Sequence, residues 1–176
     1  NSMTGGSDPG ITSGVIDIFS TNYAIAALKN DGSVQVWGMS SYGGSDPSIT
    51  SGVSTIYSTE GAFAALKSDG SVQVWGHSSY GADDPGLTSD VTKIVSSNAA
   101  FLALKSDGSV KAWGDSDYGG DDPLITSGVI DIASTHKAFA VLKSDGSVQV
   151  WGHSDFGGDD PSITSGVTKI FSTNGV

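Results

Sequence analysis

The sequence contains no cysteine and no arginine, and Glu60 is the one glutamate among its 19 acidic residues. Without cysteine there is no disulfide framework, no thiolate zinc site and no cysteine nucleophile. Eight lysines against 19 acids leave a formal charge of −11 over 176 residues. Such a surface repels phosphate backbones, which excludes nucleic-acid binding through a basic face. The apolar runs fall far short of the roughly 20 residues that cross a bilayer, so no membrane span is expected. No stretch keeps a 3.6-residue period, so no helix is expected either. Enzyme signatures are missing too: there is no nucleophile elbow, phosphate loop, dinucleotide fingerprint or His-Glu-x-x-His.

What is present is repetition. Trp37, Trp75, Trp113 and Trp151 stand 38 residues apart, as do Pro9, Pro47, Pro85, Pro123 and Pro161. Lys29, Lys67, Lys105 and Lys143 keep the same step. Full repeats occupy 11–48, 49–86, 87–124 and 125–162 without insertion or deletion. Residues 1–10 align with the connector 39–48, and 163–176 align with 11–24. The whole chain, 1–176, thus reads as a single repeat domain with partial repeats at both ends. Catalysis needs unlike groups converging once, and near-identical repeats do not provide that, so a non-enzymatic role is expected.

Each repeat reads as three short strands. In the first they are 15–21, 24–29 and 33–37, rich in β-branched and aromatic residues. Asp31-Gly32 between the second and third marks a hairpin, because glycine accepts positive φ freely. Ala24, Ala26 and Leu28 share one hairpin face; Ile25, Ala27 and Lys29 share the other. After Trp-Gly comes a polar connector of about ten residues ending in Asp-Pro, where proline stops strand pairing. Glycine supplies 25 residues, about twice ordinary usage, and apolar residues only 37%. The core is therefore thin: alanines let sheets approach, and Trp37, Trp75, Trp113 and Trp151 fill the wider gap as structural core. The fold class is all-β, tandem three-stranded 38-residue units, propeller-like, with an open β-solenoid array as the alternative.

Candidate chemistry collects in the connectors. Asp115, Asp117 and Asp121, with Asp155 and Asp159 in the next unit, have the alternate spacing of the first half of a calcium loop. No other cofactor is indicated. The closing bidentate glutamate is absent, and Asp46, Asp84, Asp122 and Asp160 precede proline, where a carboxylate caps its own turn. Calcium binding and plain turn capping both stand. His77 and His153 take equivalent positions and would join a metal or stay in solvent. Tyr42, Tyr80, Tyr118 and Phe156 form an aromatic row that either lines a binding rim or covers the edge of a neighbouring sheet.

The segment 62–76, AFAALKSDGSVQVWG, resembles the repeat of the regulator of chromosome condensation family. The residues that carry it are Val53, Ile56, Ala65, Leu66, Asp69, Gly70, Val72, Trp75 and Gly76, with Gly81 in the connector. The wider group includes three-stranded-blade propellers such as the propeller-type β-lactamase inhibitor protein. The resemblance implies a bladed propeller that uses one rim for protein partners. The connector lacks the family's Gly-Gln-Leu-Gly, and Ile25, Phe63, Phe101 and Phe139 replace the His before Ala-Leu. Nucleotide-exchange and chromatin roles therefore do not carry over. The function expected is a binding or scaffold module that recognises partners through its connectors, with a glycan-binding propeller or an inhibitor of an extracellular enzyme as alternatives. The setting expected is extracellular or cell-surface. Five copies of the first strand accompany four hairpins, which leaves a closed ring, a strand-exchanged homo-oligomer or a longer array open, with self-association expected.

Overall fold

A computed structural model describes residues 10–172. Residues 1–9 of the partial leading connector and 173–176 of the trailing piece lie outside the described residues. Four three-stranded antiparallel sheets follow one another, one per repeat. The first holds β1 (Val15–Ser20), β2 (Ala24–Lys29) and β3 (Val34–Gly38) in spatial order β1-β2-β3. The others are β4 (Val53–Ser58), β5 (Ala62–Lys67) and β6 (Val72–Gly76); β7 (Val91–Ser96), β8 (Ala100–Lys105) and β9 (Val110–Gly114); and β10 (Val129–Ser134), β11 (Ala138–Lys143) and β12 (Val148–Gly152). The all-β class and the tandem three-stranded units are as expected.

Details differ from the expectation. The first strand ends at Ser20, because Thr21 turns its hydroxyl to the Ala24 N–H at 3.0 Å. The third strand begins at Val34, because the hairpin loop closes with Lys29 N–H donating to Ser33 O. Asn30, Asp31 and Gly32 form that loop, and Gly32 sits at φ +74°. A side chain there would also meet the Gly52 backbone nitrogen at 2.5 Å, so both conformation and space demand glycine.

The expectation of no helix is corrected. Each connector contains one 3-10 turn: Ser40–Tyr42, Ser78–Tyr80, Ser116–Tyr118 and Ser154–Phe156. Three residues are too few to leave a helical period in the sequence.

The described residues form two compact units that divide between Ser89 and Asp90, each holding two of the four sheets. In the first unit, one face of the leading sheet (Ala24, Ala26, Leu28, Val34) packs on the opposite face of the next (Ile56, Phe63, Ala65, Trp75). In the second unit Ala100, Leu102, Leu104 and Ala112 meet Ile132, Phe139, Val141 and Trp151 in the same way. The rule is small on large: alanine-rich faces give the close approach, and stacked rings fill the other side. Phe63 and Trp75 lie 5.1 Å apart at 25°, Phe101 and Trp113 5.3 Å apart at 25°.

Candidate functional site

The connectors are positioned by a small set of bonds that recurs from repeat to repeat. The residue before each 3-10 turn is its N-cap. His77 Nδ1 accepts from Ser79 N–H at 3.2 Å, Asp115 Oδ1 from Asp117 N–H at 2.9 Å, and His153 Nδ1 from Asp155 N–H at 3.3 Å. Met39, at the same position, makes no side-chain cap. His and Asp alternate there because both offer an acceptor at the reach the turn needs. Each turn then ends on a left-handed glycine, Gly43, Gly81, Gly119 or Gly157.

The pre-proline aspartates cap their own turns. Asp46 accepts from Ser48 N–H at 2.8 Å, Asp84 from Gly86 N–H at 2.8 Å, Asp122 from Leu124 N–H at 3.3 Å and Asp160 from Ser162 N–H at 2.9 Å. Asp122 also pairs with Lys111 Nζ at 2.8 Å. Of the calcium candidates, Asp117, Asp121, Asp155 and Asp159 are exposed, and Asp115 is half-buried with its carboxylate turned to the cap. Among the described residues no three His, Asp or Glu side chains gather into a group that would hold a metal ion.

The aromatic row is brought to the sheet edges. Tyr80 lies over Gly61, where an added Cβ would meet its ring at 2.7 Å. Tyr23, Tyr42, His77 and Tyr80 form one cluster, with Tyr23 on Tyr42 at 4.8 Å and Tyr42 on His77 at 5.5 Å. In the second unit Lys137 Nζ sits 4.6 Å from the Tyr118 ring centre and 5.2 Å from that of Phe156. Tyr23 and Lys137 were missed in the sequence. They share one repeat position with Gly61 and Ala99, and that variation in size and charge was the available signal.

Also missed was the hydroxyl that ties connector to sheet. Thr21, Thr59, Ser97 and Thr135 each donate to the carbonyl of the connector aromatic 21 residues on, at 3.0, 2.9, 2.8 and 2.8 Å. Each also accepts the N–H three residues ahead of it, at 3.0–3.1 Å. Trp75 Nε1–H donates to Gly43 O at 3.1 Å, and Trp151 Nε1–H to Gly119 O at 3.0 Å. The indole thus reaches from its own sheet to the connector of the preceding repeat, fixing the spacing of neighbours.

Residues 91–119, the strands and connector start of the third repeat, match the Regulator of chromosome condensation (RCC1) repeat. That segment is similar to the RCC1 repeat. No curated protein sequence matches the chain. Among solved structures, the chain is similar to the CRINKLY WD40 ectodomain of the Arabidopsis thaliana receptor kinase ACR4, with a TM-score of 0.59 and 19% identity over 85% of this chain and 52% of that one. It is similar to human WBSCR16, with a TM-score of 0.59 and 20% identity over 88% and 50%. It is also similar to Prp20p of Saccharomyces cerevisiae, with a TM-score of 0.57 and 15% identity over 82% and 47%. The chain spans about half the length of these structures. At such identities the likeness shows the fold alone.

Proposed function

We propose that the chain is a non-enzymatic RCC1-type scaffold that binds proteins and associates with further copies of itself. Prp20p is described with its binding to Gsp1p and histones, and also in a complex with Kap60. Those partners belong to that protein; what bears on this chain is that such repeats serve protein contacts. The observation that carries the reading is a contrast between equivalent residues. Ile56 and Ile132 are 2% and 1% exposed, whereas Ile18, at the same repeat position, is 62% exposed. Val15 is likewise 37% exposed, where its equivalents Val53 and Val129 are 7% and 5%. An apolar sheet face of the kind each unit covers internally is thus open at β1, and open apolar faces of this kind mark interaction surfaces. The connector rim, with Tyr23, Tyr42 and His77 clustered in one unit, offers a second contact surface of the composition that protein interfaces favour.

Light scattering over a concentration range tests the reading. A mass that rises to a stable multiple of 17.8 kDa supports it. A concentration-independent monomer contradicts it.

A further inference from the structure

Resting on that reading, we propose how copies join: residues 163–172 of one copy displace 11–20 of the next and take their place on β2. The two segments, ITSGVTKIFS and ITSGVIDIFS, differ only at Thr168/Ile16 and Lys169/Asp17. The trailing segment is already held where the first strand of a following repeat belongs. Val148 N–H donates to Ile163 O and Val167 N–H to Gly146 O, repeating Val34 to Ile49 and Val53 to Gly32 in the first unit. Yet 163–172 belong to none of the four sheets, and Phe171 is 74% exposed. The segment is placed, yet it pairs with none of the described strands.

The receiving surface is equally specific. Phe139 lies against Gly119 so closely that a Cβ there would meet its ring at 2.7 Å, and Phe63 lies likewise against Gly43. At Gly157, the same position in the last full repeat, nothing stands within 4 Å. Beside it opens a shallow pocket lined by Ala133, Ala138, Ala140 and Phe171, the alanine-rich face that elsewhere receives the rings of a following repeat. Exchange delivers Ile25 and Trp37 of the second copy to this pocket while their hairpin keeps a first strand in register. The interface so formed continues the small-on-large packing already present inside each unit.

Charge favours exchange over simple docking. Equivalent positions of successive repeats are neighbours, as Lys93 Nζ and Asp131 Oδ1 show at 2.6 Å. The position that follows Asp131 is filled by Lys169 if the trailing segment supplies the strand, and by Asp17 if β1 does. The first gives opposite charges, the second like charges. Since the two strands are nearly identical, strand pairing is balanced by the swap, and covering the open faces supplies the net drive.

The absence of cysteine makes the test clean. Ser20 pairs with Ile25 in the β1–β2 ladder, and Ser172 is the repeat equivalent of Ser20. The double variant I25C/S172C should, on mild oxidation, give a ladder of covalent multimers on a non-reducing gel. The control S20C/I25C, oxidised at a dilution where the chain is monomeric, should close within one chain and reports that the hairpin still folds. Monomeric I25C/S172C, with or without an internal disulfide, beside an oxidised control overturns the exchange. If light scattering shows multimers and the ladder is absent, the scaffold reading stands and the exchange falls; a monomeric native chain removes both.

Discussion

The buried hydroxyl of Thr59 serves two backbones at once, accepting from Ala62 N–H and donating to Tyr80 O. Thr59→Val keeps the shape and strands both partners, so unfolding free energy should drop by about 1–3 kcal/mol in denaturant titration. The opposite sign is expected at Leu124. It sits in the left-handed region at φ 55°, is 78% exposed, and follows proline where the second repeat has Gly86. Leu124→Gly should stabilise by about 0.5–1 kcal/mol, because the Cβ penalty removed exceeds the added chain entropy. The hairpin aspartates set an acid limit. Asp31, Asp69, Asp107 and Asp145 hold their protons less tightly than an ordinary aspartate, first because the Ser hydroxyl two residues on donates to each carboxylate. A lowered folded value means stability that is present at neutral pH and lost as pH falls below the ordinary value of 3.8. Thermal midpoints should therefore decline through that window, and replacing all four by asparagine should flatten the decline.

Among the elements, the strands were legible to within a residue, because β-branched runs, Asp-Gly and a fixed 38-residue step all agree. The 3-10 turns were not, since their information lies in caps rather than periodicity. His77 and His153 look like metal ligands when read alone and like N-caps once Asp115 is seen to fill the same role. The aromatic row was legible as a row, but not the partners that join it, because Tyr23 and Lys137 occupy a position with no common chemistry across repeats. Packing follows the small-on-large rule, so its energetics should depend on position within the array. Ile94 is 1% exposed, and Ile94→Ala should cost about 2–4 kcal/mol by lost burial and a residual cavity. Ile18→Ala, at the exposed equivalent, should leave the stability of the isolated chain nearly unchanged, a contrast that denaturant titration of the two variants measures.

For the molecule as a whole, nearly identical repeats make neighbouring interfaces interchangeable, whether they lie within one chain or between two. That interchangeability links the fold to the proposed scaffold: an end face left open is complementary to the face at the other end of a second copy. Its cost is an exposed apolar sheet in the free chain, with Ile18 and Phe171 in solvent. The most direct measurement is hydrogen exchange of the native chain at low and high protein concentration. The account predicts that the amides of Ala24–Lys29 and of 163–172 gain protection as concentration rises, while those of the inner strands β5 and β8 stay equally slow throughout. Protection in Ala24–Lys29 and 163–172 that is the same at both concentrations would contradict it.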